Sequence, residues 1–262
     1  MSPLASLDAS GIDTLLFDID ETLTTDGQLT APAYSALERL KRAGKRLVPV
    51  TGRPAGWCDH IARMWPVDAV VGENGAFYFG MFGGKLLKRF HDDEPTRTRN
   101  RERLRTIAAR LLAAVPGCAL ASDQGYRETD LAIDYCEDVA ALPLESAERI
   151  ATLMREAGLT AKVSSIHVNG WFGGYDKLAM TRTLFRERFN VDLDRQKRKV
   201  AFAGDSPNDQ PMFAYFENSV GVANVRRFEG RLEAEPKFVT RAAAGAGFVE
   251  VVKCLLRSRS ID

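Results

Sequence analysis

Histidine and cysteine are scarce in this 262-residue chain, at three and four residues. The cysteines, Cys58, Cys118, Cys136 and Cys254, lie far apart, with no CxxC pair. That spacing excludes the common zinc frameworks and a disulfide scaffold, and suits thiols in a reducing cytoplasm. Charge of one sign is also lacking. Lys and Arg number 36 and Asp and Glu 35, for a net charge of +1. No global field therefore points to nucleic acid or a membrane surface. No apolar run approaches the roughly 20 residues of a membrane span. Residues 1–11 lack the basic-then-apolar pattern of a secretory leader. No internal repeat or low-complexity segment stands out. What the chain does have is length and 45% hydrophobic residues, enough for one large or two smaller domains. The expectation is a cytoplasmic protein with a small-molecule partner and neither nucleic acid nor membrane contacts; oligomeric state is left open.

The apolar run Leu15-Leu16-Phe17 reads as a short buried strand that delivers Asp18 and Asp20 where it stops. Turn formers follow at 24–30, then an amphipathic helix with Pro32 in its first turn and Gly44 as its stop. Residues 46–50 read as a second strand despite Pro49, which is normally kept to edges and bulges. Thr51-Gly52-Arg53 ends it. A helix over 56–64 and strands at 69–71 and 76–79 continue an alternation that predicts an α/β fold, a parallel sheet with crossover helices.

The texture changes near Gly83-Gly84. A strand is expected at 85–90, then a helix over 97–115 with Leu104, Ile107, Ala108, Leu111 and Leu112 on its apolar face. The arginines at 97, 99, 101, 103 and 105 spread around that helix and predict a solvated face. A half-buried strand at 131–135, a helix over 145–157 and a strand over 161–169 complete an α+β unit. The first pattern resumes at Gly173-Gly174, with a helix over 177–189 and a buried strand at 200–203. That strand ends in Gly204-Asp205-Ser206-Pro207-Asn208-Asp209. Strands at 219–223 and 238–240 and a helix over 247–256 close the chain. The organisation expected is a core of residues 1–84 and 173–262 with a unit of residues 85–172 inserted into it.

Polar clusters thus follow several strands: Asp18 with Asp20, Thr51 with Gly52, and Asp205 with Asn208 and Asp209. Lys177 sits at a helix start. Strand ends of a parallel sheet converge, and ligands bind there. Gathered carboxylates repel one another and need a cation, for which oxygen-seeking Mg²⁺ fits. Thr51, nearby backbone N–H groups and the Lys177 ammonium are suited to hold phosphate oxygens. Asp18 is placed to attack phosphorus, with Asp20 as general acid and base. Each residue also has a plainer reading as a helix cap or turn former. Arg53 stands between a site role and a structural one.

Together the clusters resemble the haloacid dehalogenase superfamily of phosphohydrolases. Asp18-Ile19-Asp20-Glu21-Thr22 is similar to its DxDxT motif, Thr51 to the second, Lys177 to the third and Gly204–Asp209 to the fourth. The resemblance implies Asp18 as nucleophile and Asp20 as acid and base. It implies Asp18, the Asp20 main-chain carbonyl and Asp205 as magnesium ligands, with Asp209 accessory. The size of the insertion, and Gly72-Glu73-Asn74-Gly75-Ala76, resemble the Cof-like, sucrose-phosphatase-like branch, whose members carry a large α/β cap over a Rossmann-like core. That branch implies a phosphorylated sugar or related small molecule as substrate. A phosphomutase, or a non-catalytic sugar-phosphate binder, is the alternative. One departure is Glu21, where these relatives commonly have glycine.

Within the inserted unit, Arg127-Glu128-Thr129-Asp130 and the stretch 164–169, with its trio Ser165, His167 and Asn169, are the substrate-selecting candidates. Alternate residues of one strand share a face, so the trio is expected to line up toward a cleft. His167 has no partner at metal-ligand spacing. Trp171, Phe172 and Tyr175 are expected to pack a hinge.

Overall fold

The alternation of short apolar runs with amphipathic segments is realised as strands and helices in a computed structural model, which describes residues 1–257. The first strands are β1 (Ser2–Pro3), β2 (Thr14–Phe17), β3 (Arg46–Pro49), β4 (Val70–Gly72), β5 (Phe77–Phe82) and β6 (Lys85–Phe90). Then come β7 (Ala119–Leu120), β8 (Asp130–Asp134), β9 (Thr160–Val163) and β10 (His167–Trp171). The last are β11 (Val200–Gly204), β12 (Asn218–Gly221) and β13 (Phe238–Val239). The helices are α1 (Ala31–Arg42), α2 (Ala55–Met64), α3 (Glu94–Ala114), α4 (Leu144–Glu156), α5 (Lys177–Leu184), α6 (Leu193–Gln196), α7 (Gln210–Tyr215) and α8 (Ala244–Arg257). Residues 258–262 of the expected core lie outside the described residues.

Six strands form one parallel sheet in the order β1-β13-β12-β11-β2-β3. The two-residue period of β2 sends its side chains to opposite faces. Leu15 and Phe17 pack with Leu37 and Leu40 of α1 and Phe248 and Val251 of α8. Leu16 packs on the other face with Met180 and Leu184 of α5 and Met212 and Phe213 of α7. All three β2 residues are fully buried, so the continuous apolar run reads correctly as a strand covered on both sides. Pro49 sits at the end of β3, the edge strand of this sheet. The Val50 N–H reaches back to the Phe17 carbonyl at 2.8 Å and the Thr51 N–H goes the other way, to Val71 at 2.9 Å. The N–H that Pro49 lacks would have pointed away from β2, so the β2–β3 ladder loses no bond.

A three-stranded antiparallel sheet, β4-β5-β6, adjoins this edge. Residues 85–90, grouped by sequence with the inserted unit, pair along their length with β5, beside the core. A separate antiparallel sheet runs in the order β7-β8-β10-β9. Leu104 and Leu111 of α3 and Ile150 and Met154 of α4 cover it, against Ile133 and Val168. Helix α3 starts earlier than expected because Asp93 caps it, its Oδ1 accepting from the Thr96 N–H at 2.9 Å. Leu112, placed by periodicity on the apolar face, is 37% exposed. Arg97 is buried, its guanidinium 3.8 Å from the Phe90 ring centroid, so that arginine does not belong to a solvated face.

The single strand expected over 161–169 is two strands joined by a tight turn at 164–166. Ser164 makes the turn: its N–H donates to the His167 carbonyl at 2.8 Å and its Oγ accepts the His167 N–H at 3.0 Å. β-formers on both sides hid the break, which a serine closes through its own backbone and hydroxyl. Helix α5 ends sooner than 189, continuing as one wide π turn over Phe185–Phe189 to Asn190 in the left-handed region.

Candidate active site

Strands β2 and β11 are neighbours in register, Phe17 opposite Ala203. The residues that follow, Asp18 and Asp205, therefore emerge side by side at the carboxyl edge. Asp18 and Asp209 share one cation: Lys177 Nζ lies 2.9 Å from Asp18 Oδ1 and 2.7 Å from Asp209 Oδ1. Asp176, before Lys177, caps α5 through the Ala179 N–H at 2.7 Å and fixes where the lysine leaves the backbone. Asp18, Asp205 and Asp209 each offer an oxygen within 4.8 Å of the others.

Three buried carboxylates so close, against the Lys177 ammonium and a half-exposed Arg227 guanidinium 3.6 Å from Asp205 Oδ2, still leave a deficit of positive charge. Burial pushes the Asp18 carboxyl up to about 7, with Asp209 and Asp20 adding to it and Lys177 opposing. Burial, Asp18 and Asp209 push Asp205 well above the usual carboxylate range. Burial works against the Lys177 ammonium, but Asp18 and Asp209 outweigh it and hold it charged. Asp205 Oδ2 accepts from Asn224 Nδ2 at 2.8 Å, while its Oδ1 is buried with no partner. An orphaned carboxylate oxygen in an all-oxygen donor set fits a hard divalent cation. Asp209 is otherwise committed: its Oδ2 accepts the Asp205 and Ser206 N–H groups at 3.0 and 3.3 Å.

The Asp20 side chain turns away from this trio. Both its oxygens accept from Arg53 Nε, at 2.8 and 3.1 Å. Thr51 is fully buried, its Oγ1 accepting the Arg53 N–H at 3.0 Å. Asn208 Nδ2 donates to Asn74 Oδ1 at 3.1 Å, and Asn208 Oδ1 accepts from Ser206 Oγ at 2.9 Å. Gly52 lies against the same asparagine, so close that a Cβ there would stand 3.2 Å from Asn74 Nδ2. Glu21 has φ 54°, in the left-handed region that favours glycine. Its carboxylate points away from the nucleophile candidate and accepts the Gly27 N–H at 3.2 Å.

The antiparallel unit lies across this edge. Arg127 Nη1 donates to the Gly52 carbonyl at 2.9 Å and to Asp130, while Nε reaches Asp123 at 3.0 Å. Asn169 Nδ2 donates to Asp130 Oδ2 at 2.9 Å. His167 Nε2 is 2.9 Å from Glu137 Oε2. Ser165 sits in the turn, not on the strand, yet its Oγ reaches the Asp20 carbonyl at 3.4 Å. Arg53 joins the two layers, with Nη1 3.3 Å from Asp123 Oδ2 and Nη2 2.5 Å from Glu137 Oε1. Burial opposes ionisation of Glu137, but His167 and Arg53 bring its carboxyl down to about 2. Between Asp18 and Asp20 below and Arg127, His167 and Asn169 above, only about 10 Å³ is left, room for roughly one water.

Several participants carried no local signal. Asp123 and Glu137 are polar residues in loops and Asn224 lies in a short 3-10 helix over Ala223–Phe228, and only their distant partners give them a place. Glu73 and Asn74 were visible only as part of the five-residue stretch at 72–76.

A family model described as haloacid dehalogenase-like hydrolase matches residues 15–92. The chain is 29% identical to a phosphoglycolate phosphatase of Pyrobaculum neutrophilum, over 94% of this chain and 96% of that one. Among solved structures, a putative HAD/COF-like hydrolase from Plasmodium vivax superposes with a TM-score of 0.69 at 16% identity, covering 97% and 98% of the two chains. The sucrose-phosphatase of Synechocystis, solved with sucrose and phosphate, gives 0.61 at 16% identity over 93% and 98%. The mixed α/β fold expected from the sequence is the fold of these neighbours. Among the described residues, no helix is long and apolar enough to cross a membrane.

Proposed function

We propose that the chain is a haloacid dehalogenase-like phosphatase, as the family-model match and the phosphoglycolate phosphatase relative support, and that it hydrolyses the phosphomonoester of a small phosphorylated sugar or hydroxy acid in the cytoplasm, with Mg²⁺, through an aspartyl-phosphate on Asp18. Residues 1–84 and 173–262 act as the catalytic core and residues 85–172 as a cap. The observation that carries the reading is the buried cluster in which Lys177 bridges Asp18 and Asp209 beside the unpartnered Asp205 Oδ1. Such a cluster is costly to bury unless it serves a charged ligand.

Asp18, Asp205 and the Asp20 carbonyl, with Asp209 accessory, would hold Mg²⁺, which would neutralise the charge that gathers on the transferring group. An Asp18 oxygen attacks phosphorus, and the bond to the ester oxygen breaks. Asp20 gives that oxygen its proton, so a neutral alcohol leaves. Asp20 then takes a proton from water, which attacks the aspartyl-phosphate and releases inorganic phosphate, restoring Asp18. Lys177, Thr51, Asn208 and the N–H groups near Gly52 hold the phosphate oxygens. The narrow space beneath the cap requires it to lift for substrate entry and return for chemistry. Arg127, Ser165, His167 and Asn169 then face the leaving group with polar atoms, which suits hydroxyl or carboxylate substituents. Four unpaired cysteines agree with a reducing compartment.

A panel including 2-phosphoglycolate, glycerol phosphates and sugar phosphates, assayed for phosphate release with and without Mg²⁺, tests this. Release that needs the cation and is lost in Asp18→Asn is expected. Turnover of the variant at the wild-type rate would remove Asp18 as nucleophile. Release that depends on an added sugar bisphosphate would favour a mutase, and binding without release a sensor.

A further inference from the structure

Glu73 is a fully buried carboxylate that the proposed chemistry does not use. It belongs to the core, in the turn after β4, yet its partners come from both layers. Oε1 accepts the Ala55 N–H, at the start of α2, at 2.9 Å and the Glu128 N–H of the cap at 2.9 Å. Oε2 accepts the Thr129 N–H at 2.7 Å and the Thr129 hydroxyl at 2.5 Å. Four donors thus converge on one carboxylate, three of them from the cap segment that carries Arg127 and leads into Asp130.

The backbone beneath it is strained. Glu73 has φ 42° and Asn74 φ 54°, consecutive left-handed non-glycine residues, and Gly75 follows at φ 105°. Each such non-glycine residue costs on the order of 1 kcal/mol, so the conformation is held by what it achieves. It lets three successive residues face three parts of the site. Glu73 grips the cap. Asn74 Oδ1 holds Asn208. Gly75 packs on the start of the helix carrying Lys177, so tightly that a Cβ would stand 2.0 Å from the Asp176 carbonyl oxygen.

We propose that Glu73 is a positioning residue, the core's polar latch on the cap, which seats the strip bearing Arg127 above the phosphate site. The inference rests on the cap reading given above. A latch of hydrogen bonds suits a layer that must lift. On opening, its donors and its carboxylate pass to water, whereas an apolar seam would resist exposure. The neighbouring charges fit this use. Arg127 compensates Glu73 from the cap side, Asp130 opposes it, and Cys58 and Tyr175 are the other titratable groups close by.

The test uses the full chain with Glu73→Gln, Thr129→Val and Thr129→Ser. Hydrogen exchange of the 127–131 peptide needs no activity, so it reads the latch even if the phosphatase reading fails. Glu73→Gln, which sets an amide N–H₂ against donors, should speed that exchange about tenfold or more. Thr129→Val should do so by a smaller factor, and Thr129→Ser should match wild type. In turnover, Glu73→Gln should raise KM for hydroxylated or carboxylated phosphate esters about tenfold. For p-nitrophenyl phosphate, whose leaving group offers the cap neither hydroxyl nor carboxylate, kcat should stay within about threefold, since hydrogen bonds remote from the reacting atoms are not asked to contribute there. Unchanged exchange in both Glu73→Gln and Thr129→Val overturns the latch. Equal losses on both substrate classes overturn the positioning role. If Glu73→Gln does not fold, Thr129→Val against Thr129→Ser decides the matter alone. If the wild type releases no phosphate from any ester, the phosphatase reading fails while the exchange arm still stands.

Discussion

Replacing Lys177 by methionine keeps the length of the side chain and removes its charge. In the native arrangement that ammonium lies within 2.9 Å of Asp18 and 2.7 Å of Asp209, and all three side chains are at most 5% exposed. Taking one partner from a buried ion pair leaves the other uncompensated and costs about 3–5 kcal/mol. Two carboxylates lose their partner here, so the upper part of that range is expected. For a chain of this size the loss lowers the unfolding midpoint by on the order of 10 °C. The effect depends on pH, because burial holds Asp18 protonated up to about 7. Below that, a neutral Asp18 has less need of the lysine, so the loss is smaller at pH 6 than at pH 8. Thermal unfolding followed by circular dichroism, with a chelator present at both pH values, reads it. Added Mg²⁺ should return part of the loss, since a dication beside Asp205 answers the same excess of negative charge. A change below about 1 kcal/mol at pH 8 without metal, the range of an exposed pair, would refute the reasoning.

The wild-type protein without metal should itself lose stability as pH rises. Asp18 and Glu73 are raised to about 7, chiefly by burial, and Asp205 well above its usual range. For Asp18 and Glu73 the contribution is full below the unfolded values near 4 and is lost as pH rises through about 7, at up to about 1.4 kcal/mol per pH unit per group, and Asp205 acts in the same direction. Urea midpoints should therefore fall between pH 5.5 and 8 with a chelator, and fall less with Mg²⁺. Glu21→Gly should be tolerated and stabilise by up to about 1 kcal/mol, because φ 54° suits glycine; clear destabilisation in urea titrations would show that the Glu21–Gly27 bond matters more. His167→Ala and Asn169→Ala should raise KM for sugar or hydroxy-acid phosphates about tenfold, with less effect on p-nitrophenyl phosphate. Equal effects on both would move these residues from substrate selection to packing.

Much of the fold was legible because buried parallel strands announce themselves. Leu15-Leu16-Phe17 and Val200-Ala201-Phe202 are apolar on both faces, and an acidic loop follows each. The convergence of Asp18, Asp205, Asp209 and Lys177 followed from that topology without any knowledge of side-chain contacts. The break at Ser164 did not, since residues on both sides favour strands and the turn is closed by one hydroxyl and its own backbone. The roles of Arg53, Glu137 and Glu73 stayed unsettled for a different reason. Their partners lie 33 to 84 residues away for Arg53 and 18 to 56 for Glu73, and no local pattern encodes which distant loop will meet them. At Glu21 it is the backbone angle, φ 54°, and not the side chain that the position selects.

The most direct test of the central claim is to catch the phosphoryl group on the protein. Wild-type enzyme mixed with a cleavable phosphate ester and Mg²⁺, quenched in acid within a turnover and digested, should carry a phosphoryl adduct on the peptide containing Asp18. The adduct should disappear in Asp18→Asn. Phosphate release with no adduct, or with the adduct on another residue, would contradict the account.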